Sequence, residues 1–86
     1  GEVITSALFR HYLENYLTKR ADVNSNMTIL VRQLEATQAG VPMELYFFLY
    51  AKDWIPFEHA MADIVDHVYG YAYEFGLKIY EQTPVQ

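Results

Sequence analysis

The chain has 86 residues, 52% of them apolar and 20% charged, with a formal net charge of −5 and no cysteine. That length supports one domain around a single two-layer core, and the apolar share excludes a disordered chain. The acidic balance argues against nucleic acid and anionic lipid as partners, and the missing cysteines rule out disulfides, thiolate zinc sites and cysteine nucleophiles.

In chain order, Val3 and Ile4 read as the remnant of a strand, and Thr5 or Ser6 can cap a helix over residues 6–19. In that helix Phe9, Tyr12, Leu13, Tyr16 and Leu17 share one face, with His11, Glu14 and Thr18 on the other. Residues 20–26 hold Asp22, Asn24, Ser25 and Asn26 and read as a turn. A strand over 27–34 follows, then a hairpin loop over 36–42 with Gly40 and Pro42, then a second strand over 43–51. The short loop predicts antiparallel pairing, with Arg32 in position to meet Glu44 across the strands. Trp54 is expected to anchor the junction between this strand and the next helix.

That helix places Phe57, Met61, Ile64, Val68, Ala72 and Phe75 on one stripe and His59, Asp63, Asp66 and Gly70 opposite. Pro56 suits its first turn and Gly76 its end. Leu77 and Ile79 alternate with Lys78 and Tyr80 as a last short strand, and residues 81–86 read as a tail.

The predicted fold class is α+β: a ferredoxin-like (split βαβ) two-layer sandwich of order α-β-β-α-β, with its first strand truncated or missing and both helices on one sheet face. The other face is then bare. On the second strand, Met43, Leu45, Phe47 and Leu49 alternate with Glu44, Tyr46, Phe48 and Tyr50. The aliphatic set is assigned to the core, and Tyr46, Phe48 and Tyr50 become the candidate subunit interface.

Residues able to carry chemistry are sparse. His59, Asp63 and His67 lie at i, i+4 and i+8 beside Asp66, which offers groups that zinc could use. Eight residues of helix span about 12 Å, however, so at most one adjacent pair can reach a single ion. The plainer reading is a solvated face with local His–Asp contacts. Glu58, Asp63, Asp66 and Glu74 are too open to form a tuned acid–base pair. No catalytic residue, cofactor site or metal site is therefore assigned. The longest apolar run, residues 45–51, is far short of the roughly 20 residues that cross a bilayer.

Several segments, taken in order, resemble the cytoplasmic C-terminal domain of the small-conductance mechanosensitive (MscS-like) ion channels, in the branch that includes miniconductance channels. They are Met27-Thr28-Ile29-Leu30-Val31-Arg32-Gln33-Leu34, Gly40-Val41-Pro42-Met43-Glu44-Leu45-Tyr46, Trp54, Glu58, Ala62-Asp63-Ile64-Val65-Asp66-His67 and Glu74-Phe75-Gly76-Leu77. Phe47-Phe48-Leu49-Tyr50, Ala60-Met61 and Gly70 depart from that pattern.

The resemblance implies a non-enzymatic vestibule and assembly domain of a channel that releases solutes on hypo-osmotic shock, on the cytoplasmic side of the bacterial inner membrane. Its partners would be copies of itself, seven in the full-length channel, with membrane contact only through transmembrane segments outside this chain. Opening on Gly1 without an initiator methionine, the chain is expected to be a single domain over 1–86, cut from a larger membrane protein. The fold alone also permits a free-standing ferredoxin-like regulatory module that binds a small ligand. A metal-dependent enzyme resting on the His–Asp face is a more distant third.

Overall fold

The computed structural model describes residues 2–38 and 40–74, with side chains from residue 7 onward. Within them the order is α1 (Glu2–Lys19), β1 (Leu30–Gln33), β2 (Met43–Tyr46) and α2 (Trp54–Glu74). The strands pair antiparallel in a two-stranded sheet, with Leu30 opposite Tyr46, Val31 opposite Leu45, Arg32 opposite Glu44 and Gln33 opposite Met43. The expected strand over 77–80 and the helix-ending Gly76 lie outside the described residues.

Val3 and Ile4 are helical, which corrects the expected strand remnant. A strand is held by a partner, and a helix that has already formed extends backward at only a few tenths of a kcal/mol per β-branched residue. Lys19 sits in the last turn of α1, where a cation complements the helix dipole. The Arg20 amide then bonds back to the Leu17 carbonyl at 3.3 Å and tightens the exit.

Both strands are shorter than predicted, and a turn lies just ahead of β1. Asn24 accepts the Asn26 amide on its side-chain oxygen at 3.0 Å, and its carbonyl accepts the Met27 amide at 3.1 Å. Pairing nevertheless exists on the far side of this turn. Val23 bridges Leu49, the Asn24 amide donates to the Phe48 carbonyl at 2.8 Å, and the Tyr50 amide donates to Asp22 at 3.0 Å. At the opposite end Thr37 and Gly40 exchange backbone bonds of 2.8 and 3.1 Å. Gly40 sits at φ 134°, a region that side chains rarely adopt.

The core is built from Phe9, Leu13 and Leu17 of α1, Val23, Val31 of β1, and Ile64 and Ala72 of α2. Met43, Leu45, Phe47 and Leu49 pack against it, so the aliphatic side of the second strand does face inward. The helices are not laid side by side on the sheet: α1 lies against β1 and α2 against α1, and among the described residues no Cα of α2 comes within 8 Å of either strand. Two strands make a ribbon about 10 Å wide, which is roughly the diameter of one helix, so α1 fills it. In α2 the Phe57 amide bonds the Asp53 carbonyl at 3.1 Å, and Pro56 falls in the first turn, where its missing donor costs nothing.

Candidate functional site

The strand register decides which side chains face away from the core. Val31 and Leu45 pair on the inner side, so their neighbours Leu30, Arg32, Glu44 and Tyr46 share the outer side. Phe48 and Tyr50 continue it: Tyr46 is 47% exposed, Phe48 37% and Tyr50 53%. Tyr46 and Phe48 meet edge to face, with ring centroids 5.4 Å apart and planes at 86°. The strip is thus about half open to water.

Beside the rings, Arg32 bonds Glu44 through Nε at 3.0 Å and Nη2 at 2.9 Å, both to the same carboxylate oxygen. The sequence-predicted pair is present. Both partners are open to water, so its contribution to stability is a fraction of a kcal/mol at most. It leaves the outer sheet face with one cation, one anion and a run of aromatic rings.

A second exposed apolar area lies at the start of α2. Trp54 is 74% exposed and Ile55 65%, with Phe57 and Val65 also open. This corrects the expected role of Trp54 as an anchor at the strand–helix junction. Its indole N–H donates to Glu58 Oε1 at 3.1 Å, one turn further along its own helix, which holds the ring beside α2 and off the sheet.

The third candidate is a polar and aromatic cluster joining α1 to α2. Arg20 donates to both oxygens of Asp22, at 2.8 Å from Nε and 2.6 Å from Nη2, while Nη1 reaches the Tyr16 hydroxyl at 2.6 Å and the carboxylate of Asp63. The guanidinium also lies 5.6 Å from the Tyr16 ring centroid. Tyr16 stacks on His67 with centroids 5.1 Å apart and meets Tyr71 edge to face at 5.5 Å; Tyr71 meets Tyr12 in the same way at 4.5 Å. His67 Nδ1 is 2.8 Å from the Asp63 carbonyl. A carbonyl only accepts, so Nδ1 carries the hydrogen.

The electrostatics follow from these contacts. The bond to Asp22 pushes the Arg20 guanidinium still higher, against the opposing effect of burial, with Asp63 and Tyr16 adding to it. The same bond holds the Asp22 carboxyl below the usual carboxylate range. Burial raises the Tyr16 hydroxyl although Arg20 works the other way, and burial together with the Tyr12 hydroxyl pushes Tyr71 up to about 12. With four of its five N–H donors taken up and two carboxylates already against it, Arg20 is a structural clasp and not a receptor for an anion.

Of the sequence-predicted metal residues, Asp63 is bound by Arg20 and His67 lies against Tyr16, so the helix side expected to be solvated is in part the seam with α1. Among the described residues no group of three His, Asp or Glu side chains converges on a point where an ion could sit. The Arg20 clasp was not legible in the sequence, because Arg20 and Asp63 are 43 residues apart and only the packing of α2 on α1 brings them together. No helix among the described residues is long and apolar enough to cross a membrane. No family model matches the chain, and no solved structure matches it.

Proposed function

We propose that this chain is the cytoplasmic vestibule and assembly domain of a tension-gated channel of the MscS-like kind, a protein that releases solutes when external osmolarity falls. The observation that carries the reading is the outer sheet face, where Tyr46, Phe48 and Tyr50 stand in one row about half open to water. A ring of identical subunits needs an apolar surface on each copy that the monomer leaves open. The ordered segments from Met27 to Leu34, Gly40 to Tyr46 and Ala62 to His67 support the same family.

In this reading the two helices and two strands are part of a ferredoxin-like sandwich, completed by strands beyond the described pair. The membrane-spanning part lies elsewhere in the polypeptide, the domain faces the cytoplasm of a bacterial cell, and the partner is the same chain, by resemblance in sevens. It acts as a scaffold without catalysis or cofactor.

The test is a bacterium stripped of its osmotic-release channels and supplied with the gene that encodes this chain. Survival of an abrupt dilution should be restored, and membrane patches should show a tension-activated conductance. Phe48→Glu should reduce both together with assembly, while the circular dichroism of the isolated domain stays unchanged. A gene product that gives neither survival nor conductance overturns the reading.

A further inference from the structure

Within that assembly reading, we infer that the contact between copies is head to tail: the outer sheet face of one copy receives the exposed first turns of α2 from the next. Each copy leaves two separate apolar areas open, the strip of Tyr46, Phe48 and Tyr50 and the patch of Trp54, Ile55 and Phe57. A sheet-to-sheet pair would cover the first area and leave Trp54 and Ile55, the more exposed of the two sets, in water. A single head-to-tail contact covers both areas on every copy, and repeats until the ring closes.

Charge points the same way. α2 carries four carboxylates (Glu58, Asp63, Asp66 and Glu74) and no lysine or arginine, so two copies of this helix repel each other. The sheet face carries Arg32 balanced by Glu44, and both of the contacts of Arg32 to Glu44 fall on one oxygen, which leaves further guanidinium donors for a second carboxylate. Glu58, held beside the patch by the Trp54 indole, is placed to be that carboxylate in the neighbouring copy. The occupant of the sheet face is thus a second copy of this chain, met through its acidic helix.

The chain has no cysteine, so introduced thiols report contacts without background. Leu30→Cys, beside Tyr46 on the outer face, Lys52→Cys, two residues before Trp54, and the double variant leave the aromatic anchors in place and are oxidised or treated with a short bismaleimide. The expected result is a dimer from the mixture of the two single variants and a ladder of higher bands from the double variant, with the single variants alone remaining monomeric. Arg32→Glu on the thiol background should suppress the ladder, and adding Glu58→Arg should restore it.

Self-linked Leu30→Cys dimers, or no linked species in any mixture, would overturn the head-to-tail contact. Failure of osmotic rescue together with an intact ladder would count against the channel alone. Rescue without a ladder would count against this contact alone.

Discussion

Arg20, just past the end of α1, bonds Asp63 in the middle of α2 and so ties the two helices together at the polar edge of their seam. Arg20 is mostly buried and also holds Asp22 and Tyr16, whereas Asp63 is half open to water. The two substitutions should therefore differ. Arg20→Ala removes several charge-assisted bonds and should cost about 2 kcal/mol in urea unfolding, while Asp63→Asn should cost well under 1 kcal/mol. Equal losses from both would mean that Asp63 carries the clasp, contrary to its exposure.

Asp22 gives the molecule an acid limb. Its carboxyl is held low in the folded state by the Arg20 bond, so the stabilisation is complete above the unfolded value of about 3.9 and disappears as pH falls through the folded value. Thermal melts taken from neutral to strongly acid pH should show this loss, and Asp22→Asn should flatten that part of the profile. An unchanged acid limb in the variant would remove Arg20–Asp22 from the explanation.

At the alkaline end Tyr71 acts in the opposite sense. Burial and the neighbouring Tyr12 hydroxyl push its folded value up to about 12, so the folded state favours the neutral phenol. The stability that this provides is intact below about 10 and is lost as pH rises toward about 12. Tyr71→Phe should keep the edge-to-face contacts with Tyr12 and Tyr16 and lessen the alkaline loss, as measured by ellipticity against pH.

Gly70 lies inside α2, is exposed, and a Cβ built on it meets no atom within 4 Å. Gly70→Ala should therefore stabilise the protein by about 0.5–1 kcal/mol, through helix propensity and a less disordered unfolded chain. A denaturant midpoint that stays put or falls would show that the position is crowded in the folded state.

What the sequence revealed and what it hid follow from the range of the interactions. The inward run of Phe9, Leu13 and Leu17, the alternation through Leu45 and Tyr46, and the Arg32–Glu44 pair are all set by local periodicity, and each stands where periodicity puts it. Val3 and Ile4 suit a strand by composition, but the residues that follow them form a helix and carry them into it. The late start of β1 follows a turn in which the Asn24 side chain takes the Asn26 amide, a bond that no alternation of apolar and polar residues reveals. His67 was assigned to water because helical angles say which residues share a side, whereas which side meets α1 depends on where Tyr16 and Arg20 stand.

Leu13 and Trp54 separate the residues that hold the fold from those available to a partner. Leu13 is fully buried at the centre of the core, so Leu13→Ala opens a cavity and should cost about 2–5 kcal/mol. A domain of this size has a total stability of roughly 4–13 kcal/mol, so that loss is a substantial part of it. Trp54 is a larger side chain with more surface to bury. Its surface is already in water, however, and its indole N–H bonds Glu58 within the same exposed turn. Trp54→Ala should therefore shift monomer stability by no more than about 0.5 kcal/mol in urea titrations, while it lowers self-association in sedimentation velocity. If Trp54→Ala instead destabilises the monomer as much as Leu13→Ala, the indole packs inside the domain, and the start of α2 is no surface for a second copy.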